Sequence, residues 1–330
     1  MCRNLINLLS ACLLWFVVQT PVLGQEPWRS IEEPVGGANN EIPVAEDYAS
    51  SSLSDPCPKV CLTSQALQQT RWFLGVDGSK QPQDFGVNAN LGLRGSVNFG
   101  AAIFPEAGIG FQLGSAFVAH GNAVQVFELL GESTDRLQSF TTIGLFQRKS
   151  NGFYWGAVYD LLHEESYDQF NLGQWRLKAG LDIRTNTELG ATVNLAQRND
   201  QGRFNNVTVE LEPIEQLHVF LRQYWESGVS TAVWVGVADG HSEENAVTGA
   251  RPPKSNQILF GADIYAPLNR WLAIYGETNL VMPADTGAVD AYLGIEFSPG
   301  GLARAARGNL FRPMFGVAGN PSFNVDLNRR

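Results

Sequence analysis

The chain has 330 residues, a formal charge of -10 and a pI near 4.9, so it lacks the surplus of Lys and Arg that nucleic acid binding requires. Charged residues make up only 17%, aromatics reach 11% and 34 residues are glycine, a balance foreign to a helical enzyme. The mean hydropathy of -0.11 is too low for a bundle of membrane helices, but a membrane barrel passes this filter because its polar interior offsets its apolar exterior.

In chain order, residues 1–24 read as a secretory signal peptide. Arg3 precedes an apolar run from Leu5 to Val18, and Val22-Leu23-Gly24 supplies a small-residue cleavage site. Leu9-Ser10-Ala11-Cys12 resembles a lipoprotein box only superficially, since the apolar run continues through Leu13, Trp15 and Val18. Residues 25–69 mix Glu32, Glu33, Glu41, Glu46 and Asp47 with Pro, Gly and Ser and show no period, so they read as a flexible acidic tether. Within it, the Cys57-x-x-x-Cys61 spacing matches no common metal signature; a local disulfide and two free thiols are both compatible with it.

From Trp72 onward nearly everything alternates, the mark of strands with one apolar face. Val87, Ala89, Leu91 and Leu93 oppose Asn88, Asn90, Gly92 and Arg94; Ile109, Phe111 and Leu113 oppose Gly108, Gly110 and Gln112. Residues 140–147 and 153–160 form a pair around an Asn151-Gly152 turn. The clearest stretch is 174–197, where Trp175, Leu177, Ala179, Leu181 and Ile183 oppose Gln174, Arg176, Lys178, Gly180 and Asp182, and a short 184–188 turn leads into the next strand. Further runs follow at 206–211, 217–222, 232–237, 258–264, 272–277 and 289–297. About thirteen candidate strands result, most of them ~8–12 residues long. The longest interruptions fall near 118–136, 163–172 and 239–256.

A soluble sandwich also yields strands with one apolar face. Three features favour lipid over a second sheet. The strands suit the ~9–11 residues that a tilted strand needs to cross hydrocarbon. Aromatics gather at strand ends, at Trp72-Phe73, 153–155, Tyr224-Trp225, Tyr265 and Trp271, where an interfacial girdle lies. The polar face carries Arg94, Arg176, Lys178, Asp182, Glu210, Arg222, Asp263, Glu277, Asp290 and Glu296 in mid-strand, which a barrel interior tolerates. These ten are the candidate lumen-lining residues. Their acids outnumber their bases, so an open lumen should favour cations, whereas cross-lumen pairing would plug it.

The runs Gly86–Gly100 and Ala107–Gly114, extended by Phe140–Arg148 and Gly156–Asp160, resemble an uncharacterised planctomycete family of exported β-barrel proteins across about 71–298. The resemblance implies a barrel fold and brings no catalytic residues with it. Likeness to outer-membrane porins is looser: Tyr292-x-Gly294-x-x-Phe297 looks like part of their insertion signal, yet a tail of over thirty residues follows it.

His163-Glu164-Glu165-Ser166 is the only tight cluster of catalytic residue types, and it reads as ordinary polarity on a loop. His120, His218 and His241 lack ligand spacing, so no metal or cofactor is expected. The sequence therefore predicts an all-β chain: an antiparallel transmembrane barrel of about 12 strands over 70–298, with a C-terminal tail at 299–330. The expected role is non-enzymatic, a porin-like channel or a structural barrel of the outer membrane. Its partners are membrane lipid and, if the lumen is open, small solutes or ions. The alternative is a secreted or periplasmic sandwich that binds an extracellular ligand. Thirteen runs conflict with the even count of closed bacterial barrels, and Trp72–Val76 is the run most readily surrendered.

Overall fold

A computed structural model describes residues 69–84, 88–124, 126–129, 131, 133, 135–149, 151–205, 207–239, 257–282 and 288–329. The signal peptide and tether readings and the Cys57–Cys61 pair lie outside the described residues.

The strands in chain order are β1 (Arg71–Lys80), β2 (Asn90–Phe104), β3 (Ile109–Asn122), β4 (Asp135–Arg148), β5 (Phe153–Glu165), β6 (Gln169–Arg184), β7 (Thr187–Arg198), β8 (Asp200–Phe204), β9 (Val207–Pro213), β10 (Gln216–Tyr224), β11 (Ser230–Ala238), β12 (Gln257–Pro267), β13 (Leu272–Met282), β14 (Val289–Phe297) and β15 (Val325–Arg329). Twelve of them close an antiparallel barrel, with β7 bonded directly to β10. Closure is made by β1 on β14, from Trp72 opposite Phe297 to Lys80 opposite Val289. Trp72–Val76 thus belongs to the wall. The surplus runs are β8 and β9, which leave the wall and form a small sheet with β15 in the order β15-β9-β8.

Alternation decides what each side of the wall meets. Leu177, Leu181, Val233, Val235, Leu293 and Ile295 are exposed on the outer face, and Val193 is half-buried. Every wall strand contributes at least one exposed large apolar side chain, so the belt is continuous around the barrel. No second sheet covers it among the described residues. Of the strand-end aromatics, Trp72, Trp155, Trp225 and Trp271 face outward, all at the end carrying the short turns. Phe73, Tyr154 and Tyr265 are buried inside instead, because sequence neighbours on a strand take opposite faces.

The wall is taller on one side. β2 to β6 run 13 to 16 residues, whereas β10 to β14 run 9 to 11. The expected interruption at 163–172 is therefore mostly strand, with only 166–168 between β5 and β6. Inside this taller side lies an apolar cluster in which Val118, Phe140, Leu162, Phe170 and Leu172 of the wall meet Val209 and Leu211 of β9 and Val317, Phe323, Val325 and Leu327 of the C-terminal segment.

Candidate functional site

The lumen is occupied by the chain's own C-terminal segment. After β14 ends at the short-turn mouth, residues 299–312 lie at that mouth, 313–322 descend through the interior, and β15 pairs with β9 at the far end, Val325 opposite Pro213 and Arg329 opposite Val209. A backbone without regular structure needs a partner for each buried amide and carbonyl. Here the wall side chains supply them. Arg71 donates to the Pro313 carbonyl (3.3 Å) and Asn98 to that of Phe315 (2.8 Å). Gln112 Oε1 accepts from the Met314 and Phe315 amides, both at 3.0 Å. Arg176 donates to the Gly316 carbonyl (2.9 Å), and Arg94 to those of Val317 (3.0 Å) and Ala318 (2.8 Å). Lower down, Gln174 and Asn194 both donate to the Ser322 carbonyl, while Gln216 and Asn279 donate to Asn324 Oδ1.

Inward-facing glycines make room for this segment. A side chain at Gly100 would meet the Phe311 carbonyl at 2.2 Å, one at Gly114 would meet Val317 at 2.5 Å, and one at Gly156 would meet Phe315 at 2.7 Å.

Arg94 and Arg176 are buried beneath the segment. Arg176 forks onto Asp160, and the Thr142 hydroxyl donates to that same carboxylate (2.7 Å) while accepting from the Ala318 amide (2.9 Å). Arg94 lies 3.9 Å from Asp77, which also holds His120 (3.0 Å) and Asn320 (2.9 Å). Asp290 takes Gln81 and Asn324, and Glu296 pairs with Arg71 and Arg312. Across the lumen Arg222 pairs with Asp263 and lies 3.9 Å from Glu188, while Glu277 accepts from Tyr275 and Tyr292. Lys178 makes no ion pair among the described residues; its ammonium sits 4.6 Å from the centre of the Phe220 ring.

Two sequence candidates are placed differently. Glu210 sits on β9, which is not a wall strand, because the apolar face of β9 rests on the inner cluster and not on the outer surface. Asp182 is exposed at the short-turn mouth, 3.6 Å from Arg307. Of the His163 cluster, His163, Glu164 and Glu165 are strand and only Ser166 is in the turn: Glu164 turns inward onto Arg136 (3.0 Å), while His163 turns outward to Asn171. Beside Arg136, outside the wall strands, burial pushes the Asp84 carboxyl above its ordinary range against the pull of the guanidinium at 3.4 Å. Sequence reasoning missed Asp77, Asp160, Gln112, Thr142 and the whole lumen segment. Asn98 and Gln112 were visible as uncharged polar residues on the inner face, and such groups mark a backbone partner as readily as water.

The segment fills one side of the lumen. On the other side a cavity of about 480 Å³ remains, reaching from Arg307, Arg312 and Tyr224 at the short-turn mouth to Asn194, Gln216 and Asn279 inside. The bonds of Gln216 and Asn279 to Asn324 lie at its inner limit, and beyond them Ile214, Ala238, Leu259, Val281 and Ala288 pack together with Trp234.

These features define a closed β-barrel whose interior is shared between its own C-terminal segment and a one-sided cavity. The chain belongs to the family of unknown function DUF6666, whose model matches residues 69–325, a span that takes in both wall and lumen segment. No curated protein matches it. Among solved structures, the chain is similar to the KdgM porin (10% identity, 69% of this chain and 98% of that one, TM-score 0.40). It is also similar to the β domain of the Bordetella autotransporter BrkA (13%, 70% and 99%, 0.42) and to the translocator domain of NalP from Neisseria meningitidis (11%, 69% and 88%, 0.42).

Proposed function

We propose that the protein is an outer-membrane β-barrel whose resting state is closed by its own C-terminal segment. A continuous outer belt of exposed Leu, Val, Ile and Phe on a closed barrel is a surface made for lipid; in water so large a patch is an aggregation liability. The orientation follows the usual asymmetry of such barrels, with the short turns and both ends of the wall on the periplasmic side. The single observation that carries the closed state is the ladder of wall side chains bonded to the backbone of 313–322.

The test is single-channel recording of the full chain in a planar bilayer, native against Gly319→Val. A Cβ at 319 would fall on the Arg94 guanidinium, so valine and the guanidinium that holds the 317 and 318 carbonyls cannot both keep their places, and the segment loses that anchor. The native barrel is expected to be nearly silent and the variant to open in bursts. Large steady conductance from the native protein would refute the closed state.

A further inference from the structure

We propose that the cavity beside the lumen segment is a binding site for a small organic anion that carries a flat ring, entered from the short-turn mouth. The charge of its lining points there. Nine bases and four acids face it, in a chain whose overall charge is -10. The C-terminal segment enlarges the excess by bringing three of those bases, Arg304, Arg307 and Arg312, to the mouth. Of the bases there, Arg148 and Arg304 donate only to carbonyl oxygens, so their charge meets no carboxylate among the described residues. A confined mouth of one sign concentrates ions of the other.

The interior gives the anchor and the shape. Lys178, Thr192 and His218 stand in one row across β6, β7 and β10, their side chains on the inner face. The Lys178 ammonium makes no ion pair among the described residues, and the Phe220 ring lies beside it. His218 stacks on Trp234 with centroids 5.6 Å apart and planes 27° from parallel, and its Nδ1 is buried without a hydrogen-bond partner. An amine with no counter-ion beside stacked rings is costly when empty, and a carboxylate bound across it removes that cost while its ring extends the stack. Asp263, Glu188 and Glu277 are near enough to act on this amine, but each is engaged elsewhere. Asp263 is held by Arg222, Glu188 by the Tyr224 and Tyr154 hydroxyls, and Glu277 by the Tyr275 and Tyr292 hydroxyls, while Asp182 lies with Arg307 at the mouth. The volume suits a small molecule and not a polymer.

The full chain, folded in detergent micelles, is titrated calorimetrically with benzoate and with its uncharged isostere benzamide, each against a micelle blank. Benzoate should bind, benzamide at least tenfold more weakly, and the benzoate affinity should fall as NaCl is raised. Lys178→Met should weaken benzoate at least tenfold, and Lys178→Arg should restore it to within a few-fold. Equal binding of the two probes, no heat from benzoate, or a Lys178→Met barrel of native affinity would each overturn the assignment. The comparison of probes on the native chain decides the matter even if the methionine variant does not fold. The assay needs no bilayer, so failure of the membrane reading and failure of this site are separate results.

Discussion

Arg94 shows how one wall residue can hold a segment whose only regular structure is a 3-10 turn at Asn320–Ser322. Its guanidinium is buried, donates to two successive carbonyls, and lies 4.8 Å from the centre of the Tyr292 ring. Hydrogen bonds from a charged donor are worth about 1.5–3 kcal/mol each. Arg94→Met should therefore cost the lumen segment several kcal/mol of docking while leaving Asp77 its bond to His120 on the wall. Hydrogen exchange can check this: amides 314–323 should lose protection in the variant while those of β3 and β4 keep theirs. Uniform loss across the wall would mean that Arg94 supports the barrel and not the segment. The residue itself was legible in the sequence as a mid-strand charge. Its partner was not, because a carbonyl of residue 317 or 318 leaves no mark in the identity of that residue.

At the scale of elements, period-two patterning identified the wall and could not separate β9 from it. Val207, Val209 and Leu211 alternate as regularly as Val233, Val235 and Val237. Alternation says only that one face is dry, and β9 dries its face on Phe170 and Leu172 where β11 uses the outer surface. Two substitutions should tell the cases apart. Leu293→Arg on β14 places a charge in the exposed apolar belt and, on the proposed membrane reading, should destabilise the barrel by about 2–4 kcal/mol near the bilayer midplane, measured by reversible unfolding from lipid vesicles. Leu327→Asp on β15 buries a charge in the inner cluster. It should leave wall stability nearly unchanged and make 320–329 accessible to protease at the far end. If Leu327→Asp unfolds the wall as readily as Leu293→Arg, the small sheet is part of the barrel's stability and not a latch.

For the whole molecule, the tail at 299–330 was the least legible part, and the reason is physical. Over 299–316 its sequence has Gly, Pro and Arg but no period, since that stretch is met by polar wall side chains and not by a flat apolar face. What the sequence did carry was the complementary hollow, in the inward glycines at 100, 114 and 156. That hollow offers a lock. A Cβ at 114 would lie 2.5 Å from Val317 Cγ2, so Gly114→Cys with Val317→Cys, in a chain whose four native cysteines are serine, places two thiols within bonding reach. Oxidised, this pair should keep the barrel silent even when the membrane is driven to high voltage. Reduced, it should behave as the native chain. Opening of the oxidised form would mean that current bypasses the segment.

The sign of the current in an opened barrel depends on which charges remain. With the segment in place the residual cavity is positive, and Arg304, Arg307 and Arg312 at its mouth make it more so. Once Gly319→Val displaces the segment, those three arginines leave with it and Glu296 loses its bond from Arg312. The wall then presents Asp77, Asp160, Glu164, Asp182, Glu188, Asp263, Glu277, Asp290 and Glu296 against Arg71, Arg94, Arg136, Arg148, Arg176, Lys178 and Arg222. Acids exceed bases by a small margin, as the sequence already indicated, and many of the pairs cancel across short distances. A reversal potential measured under a salt gradient should accordingly show weak cation preference in Gly319→Val, while the native chain passes almost nothing. Strong anion preference in the variant would mean that the arginine-bearing part of the segment stays at the mouth after the lumen clears, which would make it a selectivity filter and not only a plug.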